Sequence, residues 1–292
     1  MSSKASVTRT GQKGIPMQSH RVLLADLKFS KVYCLLRAYL DESYDNKTLC
    51  LGGWLCREES WIEIENKLTQ RIEFERRKSI RHGKPPISRY HATDCANLKK
   101  EFRQEYGWDI KRQIRLTSRL MEIIGTANPQ PTGIVIGVSL NQIKEAHNGL
   151  KPDQVKWLGY RWCISECLRS IGVAMYNGFT YDKVTVIHEG SPLFDNAALA
   201  AYHEMQASRT YQHAHYFVSL MPGRWQDFPA LQLADLLAYE GFKLTASGKR
   251  TPDEDGLRKS LQAALGYGIG VHAGFFNKKG VEAIADNLEF DD

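Results

Sequence analysis

Asp41 and Glu42 close an apolar run from Val32 to Leu40, and Ser43 follows them. A run of that kind, bounded by polar residues and a turn signal, reads as a buried strand. Two carboxylates at its mouth then stand at the edge of a core, where an unpaired carboxylate costs several kcal/mol or is forced neutral. Two further acids have similar positions. Glu189 ends the apolar stretch Lys183–His188, and Asp235 lies inside the nearly all-apolar helical stretch Pro229–Thr245. Acids at strand C-termini are where open α/β sheets place their sites. If the helix crosses the sheet, Asp41, Glu189 and Asp235 converge, and converging carboxylates repel unless cations lie between them. Oxygen-only ligands suit Mg²⁺ or Mn²⁺. Such ions activate a water and stabilise a leaving oxygen in phosphodiester cleavage. The bland alternative is that Asp41 and Asp235 pair with arginines in a structural network.

The elements that must position these acids follow from hydrophobic periodicity. Strands are expected at Tyr33–Leu40, Thr48–Cys56, Gly133–Leu140, Lys183–His188 and His213–Leu220. Helices are expected at Glu58–Arg81, Asp109–Ile124, Val155–Met175, Asn196–Ser208 and Pro229–Thr245. Asp45-Asn46 reads as a hairpin turn, and Gly83-Lys84-Pro85-Pro86 as the stop of the first helix. Residues from Gly256 onward read as two short helical pieces around a glycine-rich turn. With residues 58–125 set aside as an insertion, the order is β-β-β-α-β-α-β-α, an α/β arrangement with a mixed five-stranded sheet. Residues 1–31 read as a disordered basic arm, 32–250 as the main domain and 251–292 as a helical extension.

Charge is uneven along the chain. The net charge is +6. Residues 67–119 hold fifteen Lys/Arg against six Asp/Glu, a net charge of +9, so this stretch of the insertion carries the basic excess. Arg76, Arg77, Lys78, Arg81 and Lys84 cluster beside the Gly-Pro loop and are the candidates for gripping a phosphate backbone. A solvated helical face is the equal alternative. The six cysteines include no Cys-x-x-Cys, and several sit in apolar runs, which points to a reducing, cytoplasmic compartment without a disulfide framework. No apolar run is long enough to span a bilayer, and residues 1–31 lack a secretory apolar region. A mitochondrial presequence is the alternative there, without an amphipathic stripe to support it. The sequence has no P-loop, no dinucleotide fingerprint and no Gly-x-Ser-x-Gly elbow.

Four short motifs, in order, are Asp41-Glu42-Ser43-Tyr44, His91-Ala92-Thr93-Asp94, His188-Glu189 and Gln232-Leu233-Ala234-Asp235. Together they resemble the family catalogued as domain of unknown function 3800, placed among ribonuclease H-like proteins, over roughly residues 33–245. The resemblance implies a ribonuclease H-like fold and a divalent-metal-dependent nuclease acting on DNA or RNA. It implies that Asp41, Glu189 and Asp235 are metal ligands, and that Glu166, on the helix before the fourth strand, is the candidate fourth acid. Glu42 points to the opposite strand face from Asp41 if the strand stays regular, which ranks it below Glu166. His91 and Asp94 would line the substrate groove, with His91 able to move protons. It also suggests a protein partner in a defence or mobile-element system. Tyr44 stands where the family usually has Gly, and Glu189 where Asp is common. Those departures motivate the alternative of an inactive relative that binds nucleic acid or a partner. Glu166 is otherwise an ordinary helix carboxylate paired with Arg169 or Arg161, and His91 a satisfied loop histidine.

Overall fold

A computed structural model describes residues 35–178, 182–247 and 266–276. The expected arm of residues 1–31 and most of the 251–292 extension lie outside the described residues. Six strands form one mixed sheet in the order β5-β4-β1-β2-β3-β6. In chain order they are β1 (Leu35–Tyr44), β2 (Thr48–Arg57), β3 (Thr132–Ser139), β4 (Lys183–Glu189), β5 (Phe217–Gly223) and β6 (Val271–Phe276). Strands β1, β2 and β3 run antiparallel to one another, whereas β4 lies parallel to β1, β5 to β4 and β6 to β3.

Helices cover both faces. Between β2 and β3 stand α1 (Glu58–Arg81), the single-turn α2 (Ala92–Ala96) and α3 (Ile110–Gly125). After β3 come the short α4 (Leu140–Ala146) and the long α5 (Pro152–Gly178). They are followed by α6 (Asp195–Ala207) and α7 (Leu231–Ala246). The alternation along β1 divides the core. Leu36, Ala38 and Leu40 join the cluster under α5 and α6, while Tyr39 joins the cluster under α7, α1 and α3. Helix α7 is buried from Leu231 to Gly241, so it lies inside the molecule between the sheet and the α1–α3 insertion. Each leucine so buried contributes roughly 1.5–3 kcal/mol.

Two expectations are corrected. The sheet has six strands, not five, because Val271–Phe276 pairs with Gly133–Val138 instead of forming part of a helical extension. Strand β1 does not end at Leu40 but runs on to Tyr44, because its antiparallel ladder with β2 continues through Asp41↔Gly52 to Tyr44↔Leu49. The parallel ladder with β4 stops at Leu40↔His188. Asp41 therefore lies one residue beyond the point where β4 ceases to pair. The helix Leu140–Ala146 was not expected, and Ser139 caps it by accepting from the Gln142 N–H.

Candidate functional site

Three elements bring the acids together. Strand β1 carries Asp41 and Glu42 past the last rung shared with β4, and β4 ends at Glu189. Helix α7 carries Asp235 across the sheet. Its close approach depends on Gly52, the residue opposite Asp41, because a Cβ there would stand 2.6 Å from the backbone of Ala238. Any side chain at Gly52 would push α7, and Asp235 with it, off the sheet.

Asp41 and Asp235 are each only 7% exposed. Asp41 is held well above the usual carboxylate range by burial, then by the charges of Asp235, Glu42 and Glu189. Burial and the charge of Glu189 push Glu42 up to about 8, with Asp235 and Asp195 adding to the rise. Asp235 is pushed up to about 7 by burial, against the hydrogen bond donated by the Ala92 N–H and the nearby Arg89, which lower it. Glu189 is raised by burial and lowered by Arg89. The four carboxyls thus act on one another as one group of like charges, and protonation is their alternative to a counter-charge.

Other groups hold these acids in place. The Asp235 carboxylate accepts from Ala92 N–H at 2.7 Å, and the Gln232 side-chain carbonyl accepts from Tyr90 N–H at 2.7 Å. The Gln232-x-x-Asp235 spacing therefore pins residues 90–92 to the buried helix, one helical turn apart. Asp41 accepts from Glu42 N–H at 2.7 Å. Glu42 Oε2 is buried and has no hydrogen-bond partner among the described residues. Arg89 Nη1 stands 3.7 Å from Glu189 Oε1, and its guanidinium stands 5.3 Å from the Trp225 ring centroid. On the far side, His188 Nδ1 is 3.3 Å from the Tyr160 hydroxyl, behind Glu42.

The expected residues divide. Asp41, Glu189 and Asp235 come together. Glu166 does not join them. It pairs with Arg169, three residues along α5, and lines a separate cleft beside His272 and Phe275 on β6. Glu42 takes its place as the fourth acid. It does face away from Asp41, toward Tyr160 and Asp195. Beyond the last rung with β4, however, β1 is unpaired on that side, and Glu42 still acts on Glu189 and Asp235. His91 caps α2, its Nδ1 accepting from Asp94 N–H at 3.3 Å and standing 3.0 Å from Asp94 Oδ2. Lys100 pairs with the same oxygen at 3.0 Å. Asp94 acts electrostatically on Asp235, so this segment borders the site. Arg89 was not singled out in the sequence, because nothing local marks a residue whose acid lies one hundred positions later.

The basic insertion is partly self-neutralised. Arg76 and Arg77 both pair with Glu73 on the exposed face of α1, and Arg81 and Lys84 are exposed. Arg112 is buried, where it binds Glu75, Ser79 and the Gly107 carbonyl and stacks 3.9 Å over Trp108. Arg71 pairs with Glu75 as well.

The donor set at the acids is oxygen only, which is the chemistry of Mg²⁺ or Mn²⁺. The orphaned Glu42 oxygen and the mutual repulsion fit a cation. Among the described residues, no group of three or more His, Cys, Asp or Glu is arranged to hold a metal ion. The fit thus rests on the donor chemistry, without a preformed coordination shell. Among the described residues, Cys50, Cys56, Cys95, Cys163 and Cys167 are buried thiols outside any disulfide, and no helix is long and apolar enough to cross a membrane. No protein-family model, no curated protein and no solved structure matches this chain.

Proposed function

We propose that the chain is a divalent-metal-dependent nuclease of the ribonuclease H-like class, related to the domain of unknown function 3800 family. The observation that carries this reading is the gathering of two buried carboxyls, Asp41 and Asp235, with the half-buried Glu42 and Glu189, each raised in pKa by the others or by burial, beside Arg89. The element order supports it too. Outside the insertion, the main elements keep the order β-β-β-α-β-α-β-α, with α4 and β6 as additions.

Asp41, Glu42, Glu189 and Asp235 would hold Mg²⁺ or Mn²⁺, which when bound supplies Lewis-acid activation of water and of the phosphate. The chain's own part is to fix these ligands. Ala92 N–H orients Asp235 and Glu42 N–H orients Asp41. The buried faces of α7 and β1 keep bulk water from the inner carboxylate oxygens. Arg89, 3.7 Å from Glu189, would also meet a phosphate oxygen, and a guanidinium suits that double role. The exposed Arg81 and Lys84, with Arg76 and Arg77, supply backbone attraction that falls with salt.

A second reading is that Arg89 is the permanent counter-charge and the fold binds nucleic acid or a partner without cutting. The 3.7 Å Arg89–Glu189 pair favours it. Both readings meet in one assay: labelled single- and double-stranded DNA and RNA with Mn²⁺, Mg²⁺ or EDTA, beside Asp41→Asn and Asp235→Asn. The nuclease reading expects metal-dependent cutting that falls in both variants by more than the ~10–100-fold typical of losing an outer-shell partner. Cutting at wild-type level by the variants contradicts it.

A further inference from the structure

We infer that the groove beside the carboxylates is a subsite for an unpaired polynucleotide, with Trp225 as the platform on which a base stacks. This inference rests on the nuclease reading and names its substrate as single-stranded. The groove encloses about 640 Å³ and is lined among others by Ile72 and Arg76 of α1, Pro86 and Ile87 of the following strap, and Trp225 and Pro229 before α7. That volume and its mixed apolar and polar lining suit a flat heterocycle with a charged linker.

Three observations tie the groove to the acids. First, its wall leads to them. Pro86, Ile87 and Ser88 line the groove, Arg89 reaches Glu189, and the Ala92 N–H binds Asp235. From Ser88 to Ala92 the chain spans at most ~14 Å, so a strand stacked in the groove reaches the carboxylates within a few nucleotides. Gln232 lines the groove one helical turn before Asp235, so the same helix borders both.

Second, Arg89 brings a positive charge to the acid end of the groove. Its guanidinium stands 5.3 Å from the Trp225 ring centroid and its Nη1 3.7 Å from Glu189, and Arg76 lines the groove from α1. The lining itself is not basic, since Arg76 stands there with Glu73 and Glu101. Glu73 holds Arg76 and Arg77, and Glu101 accepts from Ser88 N–H at 2.8 Å and stands 3.2 Å from its hydroxyl. Third, Trp225 is half-buried and lines the groove, with the Arg89 guanidinium over its ring 5.3 Å from the centroid. Base stacking on such a ring tolerates any sequence but requires a base free of its pair. A duplex keeps its bases stacked inside and offers the groove only phosphates.

The test uses the full chain in EDTA, so that nothing is cut. Fluorescein-labelled oligothymidylate and oligouridylate, the same oligomers with abasic positions, and a duplex of equal length are titrated by polarisation. Trp225→Ala is expected to weaken binding of both intact single strands roughly 5- to 100-fold. Trp225→Phe is expected to keep most of it. Abasic oligomers are expected to bind the wild type weakly, with no further loss in Trp225→Ala, and duplex binding is expected to be unchanged. Equal binding of intact oligomers by wild type and Trp225→Ala, or abasic oligomers binding as tightly as intact ones, overturns the inference. Cutting assayed separately with Mn²⁺ keeps the two claims apart. Cutting with Trp225-independent binding removes the subsite alone, and absence of cutting with Trp225-dependent binding removes the nuclease reading alone.

Discussion

The molecule holds two buried clusters of charge, and it treats them in opposite ways. In the insertion, Glu75 is met by Arg112 at 2.9 Å and by Arg71, and Arg112 spends its remaining donors on Ser79 and two carbonyls. Where β4 stops pairing with β1, four acids share one arginine among the described residues, at 3.7 Å from one of them. The first cluster is complete within the chain and needs nothing else. The second is short of positive charge. A fold that neutralises one buried Glu with two arginines has the means to neutralise others, so the deficit at Asp41 marks a place where charge arrives from outside. Desolvation makes this costly for the empty protein, and a cost kept in a fold points to a site.

That contrast can be broken from either side. The largest effect on stability is expected in the complete cluster. Arg112→Ala leaves Glu75 buried with only Arg71 and should cost ~3–5 kcal/mol, read as a fall in denaturant midpoint at unchanged slope. Asp41→Asn in metal-free protein at pH 8 should do the reverse and hold or raise stability, because it relieves repulsion. If both variants lose stability equally, the two clusters are alike and the contrast fails.

Gly52→Ala should come next, at about 1–3 kcal/mol, since its Cβ meets the α7 backbone. It should also weaken Mn²⁺ binding, whereas Gly83→Ala, at an exposed turn with open space around it, should leave binding unchanged. Thermal melts and Mn²⁺ titrations of both variants check this.

The pH dependence has a definite sign. Asp41, Glu42, Glu189 and Asp235 have folded pKa values above their unfolded ones. The folded state then binds more protons, so stability falls as pH rises from about 4, where unfolded carboxyls titrate, to about 8, where Glu42 does. The loss in EDTA should be a few kcal/mol across that window. Mn²⁺ should restore more of it at pH 8 than at pH 5. A melting temperature in EDTA that rises across the window contradicts the shared repulsion.

Much of this was legible in the sequence because it rests on periodicity. The Ile- and Val-rich runs of β3 and β4 and the stripe of Trp61, Ile64 and Leu68 on α1 declare their elements. Asp41, Glu189 and Asp235 stood out because acids in or at the end of apolar runs are conspicuous. What failed depends on contacts that no local pattern carries. Strand β6 contains His272, Ala273 and Gly274, has only Val271 as a β-branched residue, and forms because β3 offers an open edge. Glu42 was ranked low by strand alternation, which holds for its direction but not beyond the last β4 rung. Glu166 was placed by resemblance, and its position on α5 turns it toward Arg169. Arg89 lies in a strap whose path is set by Gln232 and Asp235 on a helix far along the chain.

The measurement that bears most directly on the central claim is calorimetric titration of Mn²⁺ into the full chain at pH 7.5, beside Asp41→Asn, Glu42→Gln and Glu166→Gln. The account predicts saturable binding with proton release in the wild type, because the raised carboxyls must ionise to ligate. It predicts binding that is lost in Asp41→Asn, weakened in Glu42→Gln and unchanged in Glu166→Gln. Wild-type binding without proton release, or equal binding by Asp41→Asn, would contradict it and leave Arg89 as the only counter-charge the acids need.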